Sequence, residues 1–404
     1  MKNALFAVFV LSNLALLCLG QGTKPPHPYA SAHPIPSPAI FAEGVISTGD
    51  YETHPAFTPD GQTLYFLKST PSFSFWTIVV SRFVDGQWTT PEVAPFSGHY
   101  SDADPSITAD GKQLYFISNR PAPGKTKRDL DIWVMDKTDD GWSEPRNLGA
   151  PVNSEASEWY PTLAADGTLY FGSSRAGGRG ATDLYRARFV NGRYAEPENL
   201  GAAINTEFDE FEPYIAPDQS YLIFMAGGRP DGHSGSFDLY ISYQKDGAWT
   251  PAQNLGDEIN SAGDEYSPKI SPDGKYFFFA SARGRRPPDK PLNYTELLAW
   301  LRGTRNGLGD IYQLDIERLP LPARAGPPAA SASPVEVRIV TDEAEAVLAI
   351  LAKRQAGANV EKTDWQRVFS SEGYVRSPVV VLEGGANAPG YSWMSVNPRY
   401  TTFP

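Results

Sequence analysis

Pro161-Thr-Leu-Ala-Ala-Asp-Gly-Thr-Leu-Tyr-Phe171, followed by Asp183-Leu-Tyr185 and then Tyr194…Pro197-Glu-Asn-Leu-Gly201, is the stretch that decides the fold. An Asp-Gly pair next to aromatic and β-branched residues is a hairpin signal. The same layout recurs along the chain. Pro55 with Asp60-Gly61, Pro105 with Asp110-Gly111, Pro213 with Asp218-Gln219 and Pro268 with Asp273-Gly274 are the other copies; the turns lie 50, 56, 52 and 55 residues apart. After each turn comes an apolar run: Leu64–Leu67, Leu114–Ile117, Leu169–Phe171, Tyr221–Phe224 and Tyr276–Phe279. A third strand is marked by Asp131-Ile-Trp133, Asp183-Leu-Tyr185, Asp238-Leu-Tyr240 and Asp310-Ile-Tyr312. A fourth carries Trp88…Pro91, Trp142…Leu148-Gly149, Tyr194…Gly201 and Trp249…Gly256. A supersecondary unit of four strands, repeated at a fixed period, is the signature of a propeller blade.

The fifth copy ends near Leu319 without its fourth strand, while Pro38 to Thr48 precedes the first hairpin and matches Glu198 to Thr206 before a later one. An N-terminal strand that completes the last blade would close the ring and cover a bare sheet edge. The expected fold is therefore an all-β, five-bladed β-propeller over residues 38–319, closed by an N-terminal strand. Six blades are the fallback if Pro25 to Ser37 or the tail adds a sheet.

The repeat Pro-x-Ile-x-x-Asp-Gly-x-x-Leu-Tyr-Phe-x-Ser-x-Arg…Asp-Leu-Tyr…Trp-x-x-Pro-x-Asn-Leu-Gly resembles the WD40-like propeller repeat (PD40 type) of TolB-like periplasmic proteins, from about Ile40 to Leu319. The resemblance implies a propeller of that kind and says little of function, since such propellers are mostly binding platforms in unrelated settings. The first copy departs from the pattern, with Lys68-Ser-Thr70 in place of an Arg and Trp76-Thr-Ile78 in place of Asp-Leu-Tyr.

Three residues before each aligned proline stands an acid: Glu52, Asp102, Glu158, Glu210 and Glu265. Hairpin geometry sets these near Arg120, Arg175, Arg229 and Arg283, so Asp102–Arg120, Glu158–Arg175, Glu210–Arg229 and Glu265–Arg283 are read as structural pairs, with Glu52 unmatched. The rival readings of this ring are a Ca²⁺ site, since hard cations want several oxygens, and direct ligand contact. No cofactor is otherwise expected. Function belongs where the copies differ. The ligand-binding candidates are His54, Asp104, Trp159, Tyr160, Phe211, Glu212 and Tyr266, aromatics mixed with acids that suit a mouth for sugars or basic peptide side chains. Against this stands the reading that Trp159, Phe211 and Tyr266 fill space between blades. The last copy also carries an insert, Gly284 to Gly309, with a helical pattern over Tyr294–Leu301. Its Leu297, Leu298, Trp300 and Leu301 are expected to dock on a neighbouring blade rather than meet a partner.

Outside the repeats, Met1 to Gly20 has one early Lys and an apolar run, the layout of a secretory signal peptide cut near Gly20, so the mature chain is expected in the periplasm or secreted. Cys18 is the single cysteine, so the mature chain would have no disulfide. Residues 21–37 form a proline-rich lead, 320–334 a Pro/Ala/Ser linker, 335–376 the helical start of a domain that looks cut short, and 377–404 an irregular tail. No stretch after the leader reaches the roughly 18–20 apolar residues of a membrane helix. A formal charge of −12 disfavours nucleic acid.

No His-Glu-x-x-His or Gly-x-Ser-x-Gly occurs, and His27, His33, His54, His99 and His233 never fall at metal-ligand spacing. No catalytic residue is assigned. The expected function is a non-catalytic platform for a protein segment or an envelope glycan. The alternatives are a five-bladed glycoside hydrolase with axial carboxylates, or the propeller of a truncated peptidase-associated protein.

Overall fold

Each Asp-Gly pair closes a hairpin because its glycine takes a backbone conformation that side chains resist: φ is +70° at Gly61 and Gly111, +82° at Gly167 and +68° at Gly274. The fourth copy has Gln219 there, at φ +59°. Its amide compensates, accepting a hydrogen bond from the Tyr170 hydroxyl (2.8 Å) and donating one to Asp166 (2.9 Å). The computed structural model describes residues 27–122 and 129–321, and beyond them only three short strands.

The hairpins build five antiparallel sheets. Their first strands are Tyr51–Phe57, Asp102–Ile107, Glu158–Leu163, Asp209–Ile215 and Glu265–Ile270. These five touch one another in sequence order and the last touches the first, so they form the inner wall of a closed ring. The third strands are Trp76–Val84, Asp131–Thr138, Asp183–Ala187, Phe237–Lys245 and Asp310–Asp315. In the fifth sheet the outer position belongs to Ala39–Ile40, with Ala39 opposite Gln313 and Ile40 opposite Tyr312. Five blades closed by the leading segment is the architecture. The described residues of the proline-rich lead add no sixth sheet; they lie against the last blade, where Gln313 donates to the Tyr29 carbonyl (2.8 Å) and the Ile35 amide to Asp315 (2.7 Å).

The fourth strand differs from the expectation. It is two short pieces, because the proline between the tryptophan and the Asn-Leu-Gly has no N–H for a ladder. In the second blade Gly141–Trp142 extends the third strand as a hairpin, and Arg146–Asn147 pairs separately with its middle.

Packing is concentrated at the five seams between blades, each with its own cluster of buried apolar side chains. Phe66, Phe116, Phe171, Phe224 and Phe278 are fully buried, each worth about 1.5–3 kcal/mol against exposure. On the side of the Asp-Gly turns three of the seams have a tryptophan plug. Trp88 packs on Phe41 and Phe57, Trp142 donates to the Tyr65 hydroxyl (2.9 Å), and Trp249 stands edge-on to Tyr170.

The described residues past 322 belong to a second unit. They form a three-stranded antiparallel sheet, Glu336–Val340, Val379–Glu383 and Trp393–Ser395. The β-branched runs Val337-Arg-Ile-Val340 and Val379-Val-Val381 favour strands, so these pieces are neither the helical start nor the irregular tail read from the sequence. The helical patterns over 341–354 and 364–369 lie outside the described residues.

Candidate functional site

The axis of the ring is built from one local device used five times. In every inner strand the residue before the aligned proline has positive φ: His54 (+57°), Asp104 (+55°), Tyr160 (+47°), Glu212 (+51°) and Ser267 (+56°). Pairing with the second strand slips by one residue at each of these points, a β-bulge that turns one side chain out of the ladder. A non-glycine residue there costs about 1–2 kcal/mol, so the surroundings must hold it.

What holds it is a network across the axis. His54 Nε2 lies 3.0 Å from Asp104 Oδ1 and 3.1 Å from Glu212 Oε1, carboxylates of the second and fourth blades. The Tyr160 amide donates to Asp104 (2.8 Å), the Ser267 amide and hydroxyl to Glu212 (2.5 and 3.1 Å), and the Tyr160 hydroxyl to the Pro268 carbonyl (3.0 Å). Lys269 Nζ sits 4.6 Å from the centre of the Tyr160 ring. Burial works against the His54 charge, but Glu212 and Asp104 outweigh it and push its pKa up to about 10. The imidazolium then donates from Nδ1 to Thr53 Oγ1, 2.5 Å away. Burial pulls Lys269 down to about 8, with Asp104 and Glu212 opposing. Two cations and two carboxylates thus face each other at the axis. His54, Asp104 and Tyr160 are buried there, and Glu212 is half-buried.

The other candidates lie between blades. Trp159 meets Phe211 edge-on at 6.2 Å, Phe211 meets Phe237 at 6.0 Å, and the Tyr266 hydroxyl donates to Tyr51 (2.7 Å). These three side chains belong to the packing of the seams.

The repeated acids form a second ring. Asp102–Arg120 closes at 2.8 Å, Glu158–Arg175 at 3.1 Å, Glu210–Arg229 at 2.8 Å and Glu265–Arg283 at 3.3 Å, every carboxylate fully buried. Each Arg lies over at least two aromatic rings of its own blade, such as Phe224 and Tyr240 around Arg229. It also donates to the carbonyl of Phe96, Val152, Ile204 or Ile259. Burial pushes Glu158, Glu210 and Glu265 upward, opposed by hydrogen bonds from Ser154, Thr206 and Ser261. Glu52 has a partner that the spacing rule missed. Lys68 stands directly across the ladder from it, two residues before the Arg position, and reaches both Glu52 (2.8 Å) and exposed Asp50 (2.7 Å). The recurring aspartates are held likewise: Asn147, Asn199 and Asn254 donate to Asp131, Asp183 and Asp238. Among the described residues no group of three His, Cys, Asp or Glu side chains is disposed to hold a metal.

The two faces of the ring differ. One carries tight Asp-Gly turns. The other carries the connections 70–75, 174–182, 228–236 and 282–309, unequal in length and sequence, and the described ends, 119–122 and 129–130, of a fifth. Connection 282–309 contains a helix, Tyr294–Leu301, started by an Asn293–Glu296 capping box. Docking of this helix is partial: Leu298 and Trp300 are half-buried, whereas Tyr294, Leu297 and Leu301 are exposed. Lys269 was not singled out from sequence; its signal is a cation directly after the aligned proline, where the other copies have Ala56, Ser106, Thr162 and Tyr214.

No family model and no curated protein matches the chain. Among solved structures, an α-L-arabinofuranosidase from Lactobacillus brevis is similar at 12% identity, covering 67% of this chain and 92% of its own, with a TM-score of 0.41. One from Podospora anserina, in complex with cellotriose, is 15% identical over 70% of this chain and 94% of its own, with a TM-score of 0.39. A puromycin-hydrolyzing peptidase from Mycobacterium tuberculosis is 15% identical over 65% of this chain and 41% of its own, with a TM-score of 0.34. Likenesses this loose carry no activity or substrate to the chain.

Proposed function

We propose that the chain is an exported, non-catalytic propeller of the TolB-like kind, which holds a protein segment or an envelope glycan on the face bearing its unequal loops. The observation that carries this reading is the condition of the axial carboxylates. A glycosidase needs two carboxyl groups about 5–9 Å apart and open to a sugar. Here Asp104 and Glu212 both end on the same imidazole nitrogen, and their remaining oxygens take backbone amides of the next blade. All four of their oxygens are engaged in joining blades. Variation is left to the loops, and unequal loops on a rigid scaffold are where binding residues concentrate.

The test uses the full mature chain as bait for envelope extracts and on a glycan array, beside a chain with residues 286–302 replaced by a short Gly-Ser link. Saturable binding that the shortened chain loses supports the proposal. Release of sugar from aryl glycosides, abolished in Glu212→Gln, would replace it with the hydrolase.

A further inference from the structure

The seam between the second and third blades lacks a tryptophan plug. Where the first, second and fourth blades carry Trp88, Trp142 and Trp249, the third carries Tyr194. Its hydroxyl only reaches that of Tyr115 (3.2 Å), on the second blade. The third strand also breaks here. In the other blades with such a hairpin it runs on into it without interruption. In the third blade it stops at Ala187, and Phe189–Val190 pairs with Arg193–Tyr194 as a separate two-stranded piece. The result is a groove of about 1490 Å³ on the Asp-Gly face, between the second and third blades.

Three properties restrict what the groove can take. Its size exceeds the roughly 300–1,000 Å³ of a drug-sized site, which favours a chain-like ligand. Its charges are largely matched: Arg146 faces Asp136 (3.6 Å), Lys112 faces Asp110 (3.5 Å), and Lys137 lies on the Trp142 ring. Arg193 and Glu196, one of each sign, are left to bond to a ligand. Finally, much of its backbone is used in its own turns, as in Thr108 N to Gln113 O, Ala164 N to Thr168 O and Ala195 N to Arg188 O. A peptide adding as a strand would need a free edge. What the groove presents instead is the half-exposed ring of Phe189 with Tyr194 edge-on at 5.0 Å, beside polar side chains.

The geometry points to a binding site for a neutral oligosaccharide in this groove, stacked on Phe189 and hydrogen-bonded by Arg193 and Glu196. It lies on the face opposite the loops and goes beyond the loop-face reading.

The experiment is calorimetric titration of the full chain with cellohexaose, chitohexaose and maltoheptaose. At least one should bind, with affinity reduced tenfold or more in Phe189→Ala and in Tyr194→Trp, which refills the groove. Both variants should melt no lower than about 2 °C below the parent. The chain shortened at 286–302 should bind the same sugar unchanged. Binding of none of the three sugars, or binding that both groove variants leave intact, would overturn the site. Sugar binding lost only with the loop insert would do so too, while leaving the loop-face reading standing. Phe189 lies on the surface, so its variant keeps the proposal testable even if Tyr194→Trp misfolds.

Discussion

His54 and Lys269 titrate in opposite senses at one place, and their balance sets a pH dependence. A group whose pKa is raised by folding stabilises fully below its unfolded value and loses that contribution as pH climbs through the folded one. For His54 the window runs from about 6.5 to about 10. Lys269 is lowered from 10.5 to about 8, so folding gains from it as pH rises across that interval. Stability should therefore fall from about pH 6.5 to about 8, by roughly 1 kcal/mol per pH unit, and then level off, since the two slopes oppose each other. Urea unfolding at successive pH values checks this. In Lys269→Met the decline should continue to about pH 10, and in His54→Gln the decline below pH 8 should vanish. A second contrast separates buried from exposed pairs. Arg229→Ala strands the buried Glu210 carboxylate and should cost about 3–5 kcal/mol. Arg186→Ala breaks a pair with half-exposed Glu198 and should cost under about 1 kcal/mol.

At the scale of an element, the strand Ala39–Ile40 does more than its length suggests. It pairs with Asp310–Asp315, and the segment around it brings Phe41, Ile46 and Tyr29 into the seam between the last and first blades. Removing residues 27–48 should leave a bare edge and an open seam; size exclusion should show oligomers in place of a monomer, with loss of a sharp thermal transition. The strand's position was readable because the fifth copy lacks a piece that stands intact at the other end of the chain. The split of each fourth strand was less readable, although Pro91, Pro145, Pro197 and Pro251 announce it, because periodicity does not say which neighbour a strand will find. The helix was legible from Tyr294–Leu301, but its exposure was not: an apolar pattern states what could be buried, and only the neighbouring surface decides whether it is.

For the whole molecule, the seams make the ring cooperative, since each blade buries its faces against two others. A chain ending at residue 321 contains all five blades and the closing strand, so it should melt within about 2 °C of the full chain by calorimetry. Replacing 286–302 should have similarly little effect on melting, because no residue of its helix is buried.

By itself the sequence determined the blade count, the order of strands and the closure, because these follow from what repeats. It also pointed to the residues before each proline, since a residue that differs from copy to copy stands out against those that do not. The tertiary structure alone decided that His54, Asp104 and Glu212 meet on one nitrogen, that Lys68 serves Glu52, and that Tyr194 leaves a groove. The first and last depend on distances between different blades, and the second on which cation of a hairpin reaches its acid. Such distances are set by ring closure and side-chain packing, which no local pattern encodes.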